Sequence, residues 1–129
     1  MFTRFLLTIS LVFACTFGYA QSGALDEMAG AVRAGKVSDI LKYFDDVVPI
    51  TMNNSQSPYS RTQAEMVLRD FFIRNPPTQF MVMNSGSPDN LNSFVIGKLS
   101  TPNGRFGVYI LLKQKDNNYV IQEIRLNKE

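Results

Sequence analysis

The stretch from Ser60 to Pro77, SRTQAEMVLRDFFIRNPP, predicts the helix around which the rest of the chain is organised. Ser60 and Gln63 fit a capping box, in which the serine hydroxyl accepts from the Gln63 N–H and the glutamine side chain accepts from the Ser60 N–H. Apolar residues then recur at helical spacing, at Ala64, Val67, Leu68, Phe71 and Phe72. Pro76 and Pro77 end the helix, because a residue that precedes proline is pushed out of helical geometry.

Phe71 and Phe72 allow two interpretations. In the simpler one both rings fill a core, which is the usual role of aromatic residues at helical spacing. In the other, Phe71 lines a ligand pocket. Either way, an apolar face of this width needs a broad surface to pack against.

Two shorter helices are predicted before this one, and they form a hairpin around Gly35, since glycine often follows the last turn of a helix. The apolar positions of the first are Leu25, Met28, Ala29 and Val32, and those of the second are Val37, Ile40, Leu41 and Phe44. After Asp46 the pattern alternates over residues 47–52, which predicts a strand. Pro49 cannot donate to a ladder, so this strand is expected at a sheet edge or only partly paired. Residues 53–58 are interpreted as a polar turn.

Four alternating runs follow Pro77, and the short polar links between them predict an antiparallel meander. Asn103 and Gly104 form the strongest hairpin signal in the chain and predict a type I′ turn. On the last strand, Tyr119, Ile121, Glu123 and Arg125 are predicted to share one face, and Val120, Ile124 and Leu126 the other. The predicted fold class is α+β, with three helices in the N-terminal half packed on a curved antiparallel β-sheet that leaves a pocket beside the first helices.

Composition and the N-terminus predict one exported domain. The chain has 129 residues, of which 45% are hydrophobic and 19% charged, as in ordinary globular domains. No long run of one charge occurs, so nucleic-acid binding is not expected. Residues 1–20 have a basic Arg4, an apolar centre and small residues before a cleavage site at Ala20, which predicts a signal peptide with residues 21–129 as the single mature domain.

Cys15 is the only cysteine in the chain and lies inside this leader. One alternative is a lipoprotein, in which Cys15 is lipidated and begins the mature chain. Cleavage after Ala20 is favoured, and it predicts a periplasmic or secreted protein that has no transmembrane span and no cysteine.

The residue types exclude several kinds of chemistry. With no histidine and no mature cysteine, zinc sites built from nitrogen and sulfur ligands are not expected. Nucleophilic pairs of serine or cysteine with histidine are excluded for the same reason. No glycine-rich phosphate loop is present, so no cofactor is predicted. Asp45 and Asp46 are the one adjacent acidic pair, and an acidic pair after a helix is typical of a solvated cap.

A pocket of tyrosines and apolar residues is the candidate site. Tyrosine can line a cavity and still donate a hydrogen bond within it, and methionine adapts to irregular apolar surfaces. Arg125 together with Glu123 would form a polar binding site if their strand face points inward, and ordinary surface charges if it points outward. The candidate ligand-binding residues are Tyr43, Met52, Tyr59, Phe71, Tyr109, Tyr119 and Arg125.

The chain resembles the nuclear-transport-factor-2-like (NTF2-like) superfamily, a cone-shaped α+β fold. The resemblance lies in Gly35 to Val47, GKVSDILKYFDDV, which is similar to its second helix and the acidic turn into the first strand. Residues 59–72 are similar to a narrower family of small exported bacterial proteins of unknown function. Superfamily enzymes of the ketosteroid isomerase and dehydratase kind use a pocket carboxylate as base. The corresponding place here falls near Thr51, which cannot act in that way.

Three functions remain open from the sequence. The leading hypothesis is an exported, non-enzymatic domain that binds a small apolar or amphipathic ligand, or a protein partner, on its concave sheet. The second is a lyase or isomerase of the ketosteroid isomerase type that uses a carboxylate with a tyrosine. The third is a structural module that forms a homodimer through apolar strand residues.

Overall fold

The computed structural model describes residues 23–129, and the predicted leader with Cys15 lies outside this part of the chain. The elements in chain order are α1 (Gly23–Ala34), α2 (Val37–Leu41), β1 (Val47–Met52), β2 (Ser55–Ser60), α3 (Arg61–Arg74), β3 (Gln79–Gly86), β4 (Asn92–Thr101), β5 (Gly104–Lys115) and β6 (Asn118–Lys128). Within residues 23–129, no helix combines the length and the apolar character that a bilayer crossing requires.

The ends of the helices follow the sequence signals. At the start of α3, the Gln63 N–H donates to the Ser60 hydroxyl and the Ser60 N–H donates to the Gln63 side chain, both at 3.2 Å. This is the predicted capping box. At the end of α1, Gly35 has a φ of 63°, and the N–H groups of Gly35 and Lys36 donate to carbonyls of the last turn. These two bonds form a Schellman motif. The motif requires a left-handed backbone conformation at residue 35, which explains why a glycine occupies this position.

The second helix is shorter than predicted, because α2 ends at Leu41. After Leu41 the backbone hydrogen bonds join residues three apart. The Tyr43 N–H donates to the Ile40 carbonyl and the Phe44 N–H donates to the Leu41 carbonyl, both at 3.1 Å. Phe44 lies outside the helix and forms an isolated parallel bridge with Ile121. The segment after α2 therefore lies against the sheet.

The predicted architecture of three helices on a curved sheet is confirmed. The six strands are ordered β2-β1-β6-β5-β4-β3, with β3 to β6 forming the predicted antiparallel meander. The prediction that the whole sheet is antiparallel is wrong for one pair, because β1 runs parallel to β6 over Ile50–Met52. Parallel neighbours need a long connection, and everything from β2 to β5 lies between these two strands. The sheet is therefore mixed.

The polar turn predicted over residues 53–58 is wrong for most of its length. The turn consists of Asn53 and Asn54, with φ values of 49° and 64°, and β2 pairs with β1 along its whole length. Pro58 is tolerated in β2 because this strand lies at the sheet edge. The partial pairing predicted from Pro49 is confirmed, since the pairing of β1 with β6 begins only at Ile50.

A β-bulge in β6 overturns the predicted face of Ile121. Leu111 pairs with Glu123 whereas Leu112 pairs with Ile121, so Gln122 is the extra residue. The bulge reverses the alternation, and Ile121 joins Ile124 and Leu126 in the core. Val120, predicted to share a face with Ile124 and Leu126, is only half-buried. A second irregularity at Met83 interrupts the pairing of β3 with β4.

The turn between β4 and β5 is not the predicted type I′. Thr101 pairs with Gly104, so Pro102 and Asn103 occupy the central positions. A type I′ turn requires a positive φ at both, but the proline ring fixes φ near −65°. Gly104 takes the positive φ, at 116°. The Asn103 side chain donates to the Arg74 carbonyl at 2.6 Å and so caps the end of α3.

One hydrophobic core lies between the helices and the inner face of the sheet. It includes the buried faces of all three helices and the alternating residues of the central strands. Phe71 is 3% exposed, and its ring packs edge-on against Phe106 and Phe72 at centroid distances of 5.0 and 5.2 Å. Phe71 and Phe72 are therefore core residues. The opposite, outer face of the sheet carries no helix of the described chain.

Candidate functional site

An open cavity of about 790 Å³ lies at one end of the sheet. The start of α1, the segment after α2, the β3–β4 loop and the β5–β6 turn meet there. We call this cavity the mouth pocket. Its lining residues are Gly23, Ala24, Tyr43, Ser87, Asp89, Asn90, Ser93, Gln114, Asn117, Asn118 and Tyr119. Most of these side chains are polar, in contrast to the apolar core beside them.

The β3–β4 loop is held in shape by Asp89. Its carboxylate accepts hydrogen bonds from the Leu91 N–H at 2.7 Å, the Asn92 N–H at 2.8 Å and the Asn92 side-chain amide at 3.0 Å. These bonds hold the pKa of Asp89 below its usual value, because they stabilise the charged form. At the base of the loop, the hydroxyls of Ser87 and Ser93 lie 2.8 Å apart. Asp89 is thus an ionised structural group.

The β5–β6 turn contributes the asparagines of the mouth pocket. Asp116 and Asn117 have φ values of 49° and 65°, and they connect the paired residues Lys115 and Asn118. This is a two-residue type I′ turn, a geometry that asparagine and aspartate tolerate well. Such a short connection fixes the positions of the Asn117 and Asn118 backbones at the rim of the cavity.

Tyr43 is held in the wall of the mouth pocket from two sides. Its carbonyl accepts from the Ile121 N–H at 2.6 Å, and its hydroxyl donates to the Glu27 carboxylate at 2.5 Å. Glu27 also accepts from the Lys42 ammonium at 3.2 Å. The bonds from Tyr43 and then Lys42 hold the pKa of Glu27 below its usual value. Glu27 is therefore an ionised anchor for the tyrosine.

We expect the Tyr43 phenol to titrate at high pH. Burial, followed by its bond to the Glu27 carboxylate, raises the pKa of Tyr43 to about 12. Because the folded pKa is raised, the stabilisation is complete below pH 10 and is lost as the pH rises from about 10 toward 12. Carbon NMR of ring-labelled tyrosine across this range measures the titration directly.

Glu27→Gln is expected to move the Tyr43 pKa down toward the ordinary 10.0, although burial keeps it partly raised. Glu65→Gln is the matched control, because Glu65 pairs with Arg69 on α3 and not with Tyr43. A Tyr43 that titrates at its ordinary value in the unmodified protein would contradict the assignment of this hydrogen bond.

The structure brings together two of the predicted site residues at the mouth pocket, Tyr43 and Tyr119. Tyr109 and Arg125 meet elsewhere, on the outer face of the sheet, where the guanidinium lies 5.1 Å from the ring centroid. Arg125 also donates from Nε to Glu123 at 2.6 Å. With Met83 and other residues these two line a shallower depression of about 360 Å³. The Arg125 side chain is thus an exposed surface charge.

The remaining candidates belong to the core or its margin. Phe71 is buried in the core, and Met52 and Tyr59 are half-buried side chains packed against it. None of the three lines the mouth pocket. The predicted set is therefore divided among the mouth pocket, the outer face and the core.

Several mouth-pocket residues were not predicted from the sequence. Ser87, Asp89, Asn90, Asn117 and Asn118 lie in the short polar links between strands, which the sequence identifies only as turns. The sequence does carry one indication of this site, namely the asparagines concentrated in two separate loops. Loops carry a disproportionate share of binding residues. In the part of the chain that the structure describes, no group of three acidic side chains is gathered in a way that could hold a metal ion.

Comparison with known proteins gives one family. Residues 25–127 match the family described as Domain of unknown function (DUF4783). No curated protein matches this chain.

Among solved structures, a DUF4783 family protein from Bacteroides ovatus is 31% identical, with 80% of this chain and 93% of that chain covered and a TM-score of 0.76. A DUF4783 family protein from Bacteroides uniformis is also 31% identical, with coverage of 81% and 95% and a TM-score of 0.76.

More distant neighbours share the fold alone. An NTF-2-like protein of unknown function from Silicibacter pomeroyi is 9% identical, covers 84% of this chain and 92% of its own, and has a TM-score of 0.60. The cone-type α+β fold expected from the resemblance of Gly35 to Val47 is thereby confirmed.

Proposed function

This chain belongs to the family described as Domain of unknown function (DUF4783), and on that premise we propose that it is an exported, non-enzymatic domain that binds a small ligand in the mouth pocket. The observation that carries the proposal is the cavity itself. Its volume of about 790 Å³ falls within the range of small-molecule sites. Tyr43 and Tyr119 form its aromatic wall, and its rim is built from loops.

The export part of the proposal rests on residues 1–20. Arg4, the apolar run after it and Gly18 to Ala20 meet the pattern of a cleavable leader in order. After cleavage no cysteine remains, so disulfides are not available to the mature domain in an oxidising compartment. Stability then depends on the packed core.

The electrostatics of the pocket favour binding over acid–base catalysis. A general base at neutral pH works best with a pKa raised toward 7. Asp89, which lines the cavity, and Glu27, which accepts from Tyr43 in its wall, have lowered pKa values instead. Each is also occupied by hydrogen bonds to neighbouring groups. A lyase or isomerase mechanism would need one of them protonatable and free.

The test is native mass spectrometry of protein purified from its own host, followed by NMR mapping with a fragment library. We expect a bound small molecule, or library fragments, to be lost on Tyr119→Ala. Tyr109→Ala is the matched control, because this tyrosine lies on the outer face and lines the other depression. Binding that is lost on Tyr109→Ala and retained on Tyr119→Ala would contradict the proposal, as would the absence of any binding.

A second candidate function, homodimerisation, is favoured by the outer face. Its apolar residues, which we call the outer patch, are Met81, Met83, Phe94, Ile96, Tyr109 and Leu111. Met81 and Met83 are more than half exposed, and contiguous apolar surface of this kind is typical of interfaces. Light scattering tests it: a dimer that is dissociated by Ile96→Lys and not by Ile73→Lys supports this function, and a monomer at micromolar concentration contradicts it.

A further inference from the structure

We propose that the mouth pocket takes a neutral polyhydroxylated ligand, that is, a saccharide. This inference rests on the proposed function of that pocket and narrows it to one chemical class. Charge, hydrogen-bonding capacity and the exposed part of Tyr43 each support it.

The charges around the pocket disfavour an ionic ligand. Among residues 23–129, no lysine or arginine lines the pocket, and the nearby Lys42 is paired with Glu27 at 3.2 Å and Asp39 at 3.3 Å. A phosphate or carboxylate ligand would therefore lack the cation that usually recognises it. Asp89 is the acidic lining residue, and its carboxylate is engaged by its own loop. A cationic ligand would meet the charge of this carboxylate, but its two oxygens already accept three hydrogen bonds, which leaves few lone pairs for direct contact.

The hydrogen-bonding groups of the pocket disfavour an apolar ligand. Four side-chain amides line it, from Asn90, Gln114, Asn117 and Asn118. Among the hydrogen bonds of residues 23–129, none satisfies these four side chains from within the protein. An apolar molecule would displace the water bound to these amides without offering hydrogen bonds in its place. Each amide left without a partner would then cost binding free energy.

A saccharide suits these groups in its hydrogen-bonding capacity. Each carboxamide offers both donors and an acceptor, and a sugar hydroxyl both donates and accepts. The hydroxyls of Ser87, which is exposed, and of Ser93, which is 4% exposed, add the same two-way capacity to the lining. The lining thus offers a neutral array of donors and acceptors.

The tyrosines supply the surface for the apolar side of a sugar ring. The Tyr43 hydroxyl is already bonded to Glu27, so its ring is the part that remains for contact with a ligand. Tyr119 is half-buried in the same wall. An aromatic body beside polar groups suits a ligand that has C–H groups on its ring faces and hydroxyls at its edges.

The experiment compares probes of different charge and polarity. The probes are methyl glucoside, methyl N-acetylglucosaminide, cellobiose and maltose as neutral saccharides, with glucuronate as the anion, glucosamine as the cation and cyclohexanol as the neutral, mainly apolar probe. Each is titrated at millimolar concentration into the mature protein, while NMR follows the backbone and side-chain amides. We expect at least one neutral saccharide to shift the amide signals of Gln114, Asn117 and Asn118, with glucuronate and glucosamine weaker.

The matched variants are Asn118→Ala in the pocket and Gln56→Ala on the exposed edge strand β2. Asn118→Ala is expected to weaken the saccharide about tenfold, the effect of losing one hydrogen bond, and Gln56→Ala to leave its affinity unchanged. Cyclohexanol or a charged sugar that shifts the mouth-pocket signals when no neutral saccharide does so overturns this inference and leaves the proposed function standing. Failure of every probe, with no co-purifying molecule, overturns both.

Discussion

Phe71→Ala is expected to lower the free energy of unfolding by about 3–5 kcal/mol, as large-to-small changes of a buried aromatic ring do. The Phe71 side chain is 3% exposed and meets Phe106 and Phe72 edge-on. The variant removes both contacts and leaves a cavity where α3 meets the sheet. Urea denaturation followed by circular dichroism measures the change.

Ile73→Ala is the control on the same helix, because Ile73 is 78% exposed. Its change should stay within about 0.5 kcal/mol of zero, as for most surface positions. Comparing the two separates the core interpretation of Phe71 from the pocket interpretation. A loss of less than about 1 kcal/mol for Phe71→Ala would contradict the core role, since a buried phenylalanine costs more than this to truncate.

Gly97→Ala is expected to destabilise the protein by about 1–3 kcal/mol, the usual range for an overpacked core. A Cβ at Gly97 would lie 2.5 Å from the Phe80 ring and 2.7 Å from the Met81 carbonyl oxygen. Phe80 is itself buried, and the Met81 oxygen belongs to the neighbouring strand. Neither atom can move aside without disturbing β3. Thermal and urea unfolding measure the loss.

Gly30→Ala provides the opposite control. Apart from the adjacent residues and the backbone of α1 itself, no atom of residues 23–129 lies within 4 Å of the Cβ that this change adds in the middle of α1. Because alanine favours the helix over glycine, the variant should be more stable by about 0.5–1 kcal/mol. Gly97→Ala of unchanged stability would mean that β3 and β4 are further apart than described.

The sequence predicts the local features of this fold well. The capping box at Ser60, the glycine that ends α1 and the alternation of the long strands each depend on residues close together in the chain. Such signals act through nearby hydrogen bonds and a fixed period. They suffice to define three helices, the meander and the resemblance to the NTF2-like superfamily.

The features that were predicted wrongly depend on distant partners or on one local exception. The parallel pairing of β1 with β6 depends on how far-separated segments meet. The bulge at Gln122 shifts the alternation by one residue, which exchanges the two faces of the strand. Pro102 occupies the first central position of the β4–β5 turn and so prevents the type I′ geometry that Asn103 and Gly104 predict. The parallel pairing and the bulge are visible only beside the partner strand, whereas the effect of Pro102 follows from the local sequence alone.

The mouth pocket was the hardest part to predict. Its residues come from α1, the segment after α2, one loop and one turn, and no motif of fixed spacing unites them. The tyrosine hypothesis found Tyr43 and Tyr119 because tyrosine is informative on its own. The asparagines can be identified as candidate binding residues only once the fold shows that they line the same cavity.

The open sheet also bears on how the protein behaves when it is concentrated. A sheet that does not close leaves two rows of unpaired backbone groups, and such rows can recruit other chains into fibrils. Here β2 carries Pro58, which has no N–H to offer, and β3 is interrupted at Met83. Neither border therefore presents a long regular template. The domain can keep an accessible cavity without inviting strand-by-strand aggregation.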